Sequence, residues 1–153
     1  MEIVVRRTYD DLCDEALRIV EAEVKRKHAL VVGLATGRTP LGLYARVAAS
    51  KLSFRRVRFF NLDEFVGPAP SDPRSFQRYL HEHLLDPLRV SVRNVLLLRG
   101  DGENPDETAT AYERSLRAAG GVDLQILGLG RNGHIAFNEH GSSLASRTRV
   151  VTL

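Results

Sequence analysis

Residues 29–50 read ALVVGLATGRTPLGLYARVAAS, and this stretch decides the fold. ALVVGLA is continuously apolar and rich in β-formers, the pattern of a strand buried on both faces inside a parallel sheet. TGRTP at 36–40 is a tight turn, and Pro40 opens a helix that runs to residue 50. Strand, glycine turn and helix in that order make one unit of an α/β chain.

The same alternation continues in both directions. EIVVR (2–6), VRFFNL (57–62), NVLLL (94–98) and DLQILGLG (123–130) read as further strands. Helical stretches are expected over 8–27, where Thr8 precedes Asp11 by three residues, over 74–85, and over 106–119 after Asn104 and Pro105. DEFVGPAPSDPRS, 63–75, is the longest irregular segment. The expectation is an α/β fold with a doubly wound, mostly parallel sheet and helices on both faces, Rossmann-like in layout. No repeat, low-complexity tract or linker divides the chain, so residues 1–153 are expected to form one domain.

Composition excludes several classes of function. With 43% hydrophobic and 27% charged residues in 153, the chain describes a globular domain. No run is long enough to span a bilayer, and MEIVVRRTYDD lacks a basic-then-apolar signal pattern, so a cytoplasmic protein without a membrane partner is expected. The net charge is +3, and the arginines are dispersed apart from RRVR at 55–58, which argues against nucleic acid. The lysines are Lys25, Lys27 and Lys51, none in a glycine-rich loop, which argues against a Schiff-base lysine. Cys13 has no second cysteine to pair with and reads as a core residue.

In a parallel sheet, ligands bind beyond the carboxyl ends of the strands. Three loops there carry candidate chemistry. In TGRTP, Gly37 permits a close turn, Thr39 supplies a hydroxyl and Pro40 begins a helix, a combination suited to an anion or to an ordinary strand-to-helix turn. In NLDEF, 61–65, Asp63 stands at a strand end as a candidate base or metal ligand, or as a solvated loop carboxylate. Glu64 is expected to point elsewhere. In GLGRNGHIAFNE, 128–139, Gly128, Gly130 and Gly133 match a dinucleotide-binding turn. That turn belongs on a first βα unit with an acidic residue about 20 positions on, and here the distance lands on Leu153. What remains is a glycine-rich loop that gathers Asn132, His134 and Glu139 for proton transfer, or that holds a structural histidine. His81 and His83, two apart on an expected helix, lie on different faces and make a poor metal pair.

GLATGRTPLGLY, FFNLDEFVG and DLQILGLGRNGHIAFNEHGSSLASRTRVVTL together resemble the glucosamine-6-phosphate deaminase family, within the wider group that includes 6-phosphogluconolactonases. The resemblance covers the chain nearly end to end. It implies conversion of glucosamine 6-phosphate to fructose 6-phosphate and ammonia with no metal and no organic cofactor. Asp63 then matches the aspartate that moves a proton between C2 and C1, His134 the ring-opening histidine, and Glu139 its carboxylate partner. Asn132 matches a residue that orients the imidazole. Gly37, Arg38 and Thr39 match the phosphate loop, with Arg38 at a position that is usually small.

The lactonase branch shares the phosphate loop and the glycine-rich turn. HIAFNE after the turn, and Phe65 after Asp63 and Glu64, favour the deaminase. Ser142 and Arg149 match two members of the family's allosteric sugar-phosphate site, whereas Val151 stands where a lysine belongs, so a vestigial site and a non-allosteric enzyme are implied. Relatives continue past residue 153, with further phosphate-binding groups and the rest of the sheet. RTRVVTL, 147–153, would then be a strand without its later neighbours, prone to homo-oligomer formation through the open edge. The alternative is an inactive sugar-phosphate-binding protein.

Overall fold

The computed structural model describes residues 1–153. Helix α1, Tyr9–Arg26, starts where the Thr8 hydroxyl accepts the Asp11 N–H, with Asp10 and Asp11 in its first turn and Lys25 and Arg26 in its last. Cap and charges both suit the helix dipole. Strand β1, Val31–Leu34, follows, then helix α2, Leu41–Ala49, and strand β2, Arg58–Asn61. A helical run comes next: α3, Phe76–Leu80, a π-helical turn, His81–Leu85, and α4, Asp86–Leu88. Arg89 ends it at φ 52°, in the left-handed region. Helix α5, Pro105–Ala118, is capped by the Asn104 side chain and leads to β3, Leu124–Gln125.

All strand pairs are parallel, in the order β2-β1-β3. Beyond β2 lies residue 95, bridged in parallel to Phe59, with the Leu96 N–H donating to the Phe59 carbonyl. The chain therefore steps from β1 through β2 to 95, then returns to the other side of β1 for β3. This reversal creates a crevice between the ends of β1 and β3.

Alternate strand residues serve opposite faces. Val32, Leu34 and Phe59 join α1, α2 and the 80–85 turn in the main core, while Val31 and Phe60 pack with Ala119, Leu116 and Tyr112 at the α5 side. Helices on both faces of a parallel sheet make the doubly wound architecture that the alternation implies. Cys13 is buried at the α1–α2 contact, where a Cβ on Gly42 would meet its sulfur at 2.7 Å. No helix is long and apolar enough to cross a membrane.

Four expected strands are absent or reduced. Residues 2–6 pair with nothing, and Ile3 and Val5 are exposed. Residues 94–98 begin with a 3₁₀ turn, Val92–Asn94, and only the bridge at Val95 is regular. Of 123–130, the ladder includes only Leu124 and Gln125. RTRVVTL is likewise not a strand: the backbone N–H and hydroxyl of Thr148 donate to Glu113 of α5, at 2.9 and 2.8 Å. An apolar run becomes a strand only where a neighbour accepts its backbone groups. The expected 74–85 helix is displaced, starting at Phe76 and reaching Leu88 through the π-helical turn.

Candidate active site

Because the sheet is parallel, the exits of β1, β2 and β3 share one edge, and the three candidate loops lie there. The β1 exit turns at Gly37, φ +96°, and leads through Arg38 and Thr39 into α2, whose N-cap residue Pro40 supplies no side-chain hydrogen bond. The Gly37 and Thr39 carbonyls accept from the hydroxyls of Tyr79 and Tyr9, at 2.5 and 2.7 Å.

The β2 exit is the most firmly built. Asn61, 4% exposed, accepts the Leu98 N–H at 2.7 Å and donates to the Asp63 carbonyl at 2.8 Å, while the Tyr112 hydroxyl donates to the Asn61 backbone carbonyl. Glu64 is also buried, and its carboxylate accepts from Ser75 Oγ at 2.7 Å and from the N–H groups of Phe76 and Gln77 at 3.0 and 2.9 Å. A carboxylate thus sits on the open N–H groups at the start of α3, where the helix dipole favours negative charge. Between these two anchors, burial, reinforced by the charge of Glu64, pushes the Asp63 carboxyl up to about 6 from an ordinary 3.8. Such a value suits a group that both takes and returns a proton near neutrality.

The β3 exit is open to solvent. Asn132 Nδ2 donates to Glu139 Oε2 at 2.8 Å, and Asn132 Oδ1 lies 2.7 Å from His134 Nδ1. Since a carboxylate only accepts, the amide must turn its NH₂ to Glu139 and its oxygen to the ring. That oxygen also only accepts, so Nδ1 carries the proton and Nε2 keeps its lone pair. Glu139 Oε1 is 3.9 Å from Nδ1, so its charge reaches the ring chiefly through the amide. The glycines have distinct reasons. A Cβ on Gly130 would fall 2.3 Å from His134 Cε1, and Gly133 needs φ +87°. Neither reason concerns a pyrophosphate.

An aromatic cluster joins two of these loops. Phe65 stacks on Phe76 and Phe137, with centroids 4.9 and 5.1 Å apart, tying the segment after Asp63 to the segment after His134. Neither of the large surface cavities, about 620 and 640 Å³, touches the catalytic candidates. One of about 220 Å³ reaches Phe65, Phe137 and Arg149.

Arg149 approaches Ser142 Oγ at 3.5 Å and Ser146 Oγ at 3.1 Å, so the sequence-matched pair Ser142 and Arg149 comes together on its own loop. His81 bonds Asp86, and His83 packs edge-on to Tyr79, whose hydroxyl reaches the Gly37 carbonyl of the β1 exit. Sequence reasoning missed Asn61 and the anchoring role of Glu64. The available signal was Ser75 ahead of an apolar helix with no acidic residue three places on, a cap whose carboxylate comes from elsewhere.

A family model described as glucosamine-6-phosphate isomerases/6-phosphogluconolactonase matches residues 6–153. The chain belongs to this family. Glucosamine-6-phosphate deaminase 2 of Bacillus subtilis (strain 168) is 41% identical over 157 residues, covering all of this chain and 63% of that protein. A glucosamine-6-phosphate deaminase of Shewanella woodyi is 43% identical over 157 residues, with 60% of it covered. Among solved structures, a monomeric glucosamine-6-phosphate deaminase superposes with a TM-score of 0.96 at 36% identity, over 100% of this chain and 65% of that one. The 6-phosphogluconolactonase of Thermotoga maritima gives 0.78 at 31%, over 88% and 62%. The chain thus spans about three fifths of the deaminases it matches in this family.

Proposed function

We propose that residues 1–153 form one sugar-phosphate unit that acts on glucosamine 6-phosphate, converting it with water to fructose 6-phosphate and ammonia. The observation that carries this reading is the pairing, on one sheet edge, of a half-buried carboxyl raised to about 6, Asp63, with an imidazole whose tautomer is fixed, His134. An aldose-to-ketose conversion needs two proton-transfer centres of different character. His134, through Nε2, exchanges the proton that opens the pyranose ring, with Asn132 orienting it and Glu139 stabilising the cation that forms. Asp63 then takes the C2 proton, giving an enolamine, and returns it to C1. Water adds to the resulting C2 iminium carbon, and ammonia leaves. Gly37, Arg38 and Thr39, at the start of α2, hold the phosphate.

The deaminase relatives support this substrate, and HIAFNE with Phe65 after Asp63 and Glu64 favours the deaminase over the lactonase branch. The test is turnover in deuterated water. Ammonia release from glucosamine 6-phosphate, with solvent deuterium entering C1 of the fructose 6-phosphate formed and C2 of recovered substrate, is the expected result. Hydrolysis of 6-phosphogluconolactone without any such exchange would replace this reading with the lactonase one.

A further inference from the structure

The loop after β1 hangs from three tyrosines. The Ala35 carbonyl accepts from Tyr44 of α2 at 2.5 Å, the Gly37 carbonyl from Tyr79 of α3 at 2.5 Å, and the Thr39 carbonyl from Tyr9 of α1 at 2.7 Å. The acceptors are alternate residues, and the donors belong to three different helices.

The peptide geometry gives this arrangement a consequence. In a trans peptide the carbonyl of one residue and the N–H of the next point in opposite directions. No peptide bond in this chain is cis. With the carbonyls of Ala35 and Gly37 turned to tyrosines, the N–H groups of Thr36 and Arg38 turn away from them, and Pro40, after Thr39, has none. An anion requires N–H groups that face it and carbonyls that do not. Open space surrounds the position a Cβ would take on Gly37, and the turn is held by the Leu41 N–H on the Arg38 carbonyl together with the tyrosine hydroxyls.

Tyr44 is 1% exposed and belongs to the main core, and Tyr79 is half-buried and packs against it, whereas Tyr9 reaches the loop from an exposed position. Tyr9 also accepts the Gly42 N–H at 2.8 Å, which ties the loop to the first turn of α2. The Tyr79 ring rests edge-on against His83, at 4.6 Å between centroids. Burial, with the neighbouring Tyr9, pushes the Tyr79 hydroxyl up to about 12, so it remains a donor across the working pH range.

We propose that Tyr79 and Tyr9 are positioning residues that hold residues 36–39 in an anion-accepting conformation and thereby set the affinity for the phosphate of the sugar phosphate. The proposal rests on the reading of this loop as the phosphate site. Neither tyrosine touches the phosphate in this account. Each acts through a backbone carbonyl.

The test titrates the chain, Tyr79→Phe and Tyr9→Phe with inorganic phosphate, glucosamine 6-phosphate and glucosamine by calorimetry, beside thermal melts. Tyr79→Phe is expected to weaken phosphate and glucosamine 6-phosphate by the same factor, about tenfold, and to leave glucosamine unchanged. Tyr9→Phe is expected to act in the same direction. Unchanged phosphate affinity in both variants overturns the proposal, as do equal losses for the phosphorylated and unphosphorylated sugars. If Tyr79→Phe does not fold, Tyr9→Phe decides by the same criteria. A wild-type chain that binds glucosamine as well as glucosamine 6-phosphate removes the phosphate reading itself, an outcome visible before any variant is compared.

Discussion

The loops that carry Asp63 and His134 leave neighbouring parts of one sheet edge, yet they are built in opposite ways. Around Asp63 the bonds are long-range: Asn61 reaches Leu98, and Glu64 reaches Ser75, Phe76 and Gln77. Around His134 they are local: Gly130 N–H to the His134 carbonyl, Asn132 to His134 and to Glu139, and Ile135 with Asn138. The first loop is folded into the protein, the second onto itself. Burial then differs. Asp63 is desolvated and its carboxyl raised, while the His134 side chain stays 43% exposed and its ring is oriented by the amide beside it. A proton that moves between two carbons needs a desolvated base, whereas ring opening tolerates contact with water.

The largest effect expected from breaking this contrast is at Asp63. Asp63→Asn removes the carboxyl proposed to carry the proton and should slow ammonia release by about 10²- to 10⁴-fold. The same change should stabilise the fold. An Asp whose carboxyl is raised to about 6 in the folded chain, from 3.8, favours folding most when protonated. Below about pH 4 the wild type therefore bears no penalty, and the penalty develops as pH rises through 6. Melting curves should coincide at pH 3.5 to 4 and separate at pH 7, with the Asn variant ahead by on the order of 1 kcal/mol after allowance for partial solvation. Coincident curves at pH 7 would mean that Asp63 is solvated like any surface carboxylate. In the wild type, activity should rise with pH through about 6, because the base must be ionised.

Glu64 comes next. Glu64→Gln turns an amide NH₂ toward Ser75 and the α3 N–H groups, leaving donors unpaired in a buried position. A loss of about 2–3 kcal/mol in urea unfolding is expected, since charge-assisted bonds to a buried carboxylate are among the strong ones. A variant as stable as wild type would show that the β2 exit is not anchored by this carboxylate.

The smallest stability effect is predicted for the local loop. Gly130→Ala pushes a methyl group into the His134 ring, which must move. Turnover should fall on the order of tenfold while global stability changes by less than about 1 kcal/mol, because the loop is exposed and bonded mainly to itself. A large drop in melting temperature would place this turn within the cooperative core and erase the distinction between the loops.

Much of this was readable from the chain, for identifiable reasons. Helix α1 announces itself through Thr8, Asp11 and its basic last turn, and β1 and β2 through residues apolar on both faces. The loop 128–139 was legible because its geometry is local, so Asn132, His134 and Glu139 meet through a sequence span of seven residues. Asp63 was legible as a carboxylate at a strand end. Its raised carboxyl was not, because the burial that raises it comes from packing against distant segments.

EIVVR and RTRVVTL have strand composition and no strand partner, since sequence reports apolarity but not whether a neighbour stands alongside. NVLLL has a neighbour, yet only Val95 enters a regular bridge, while Leu98 gives its N–H to the Asn61 side chain instead. Periodicity and glycine spacing determined the doubly wound sheet and the edge where chemistry belongs. Tertiary structure alone decided that Glu64 caps a helix eleven residues away, that Asn61 locks the base loop, and that tyrosines from three helices hold alternate carbonyls after β1. These contacts join residues far apart in the chain, and a hydrogen bond between distant residues leaves no periodic trace in the sequence.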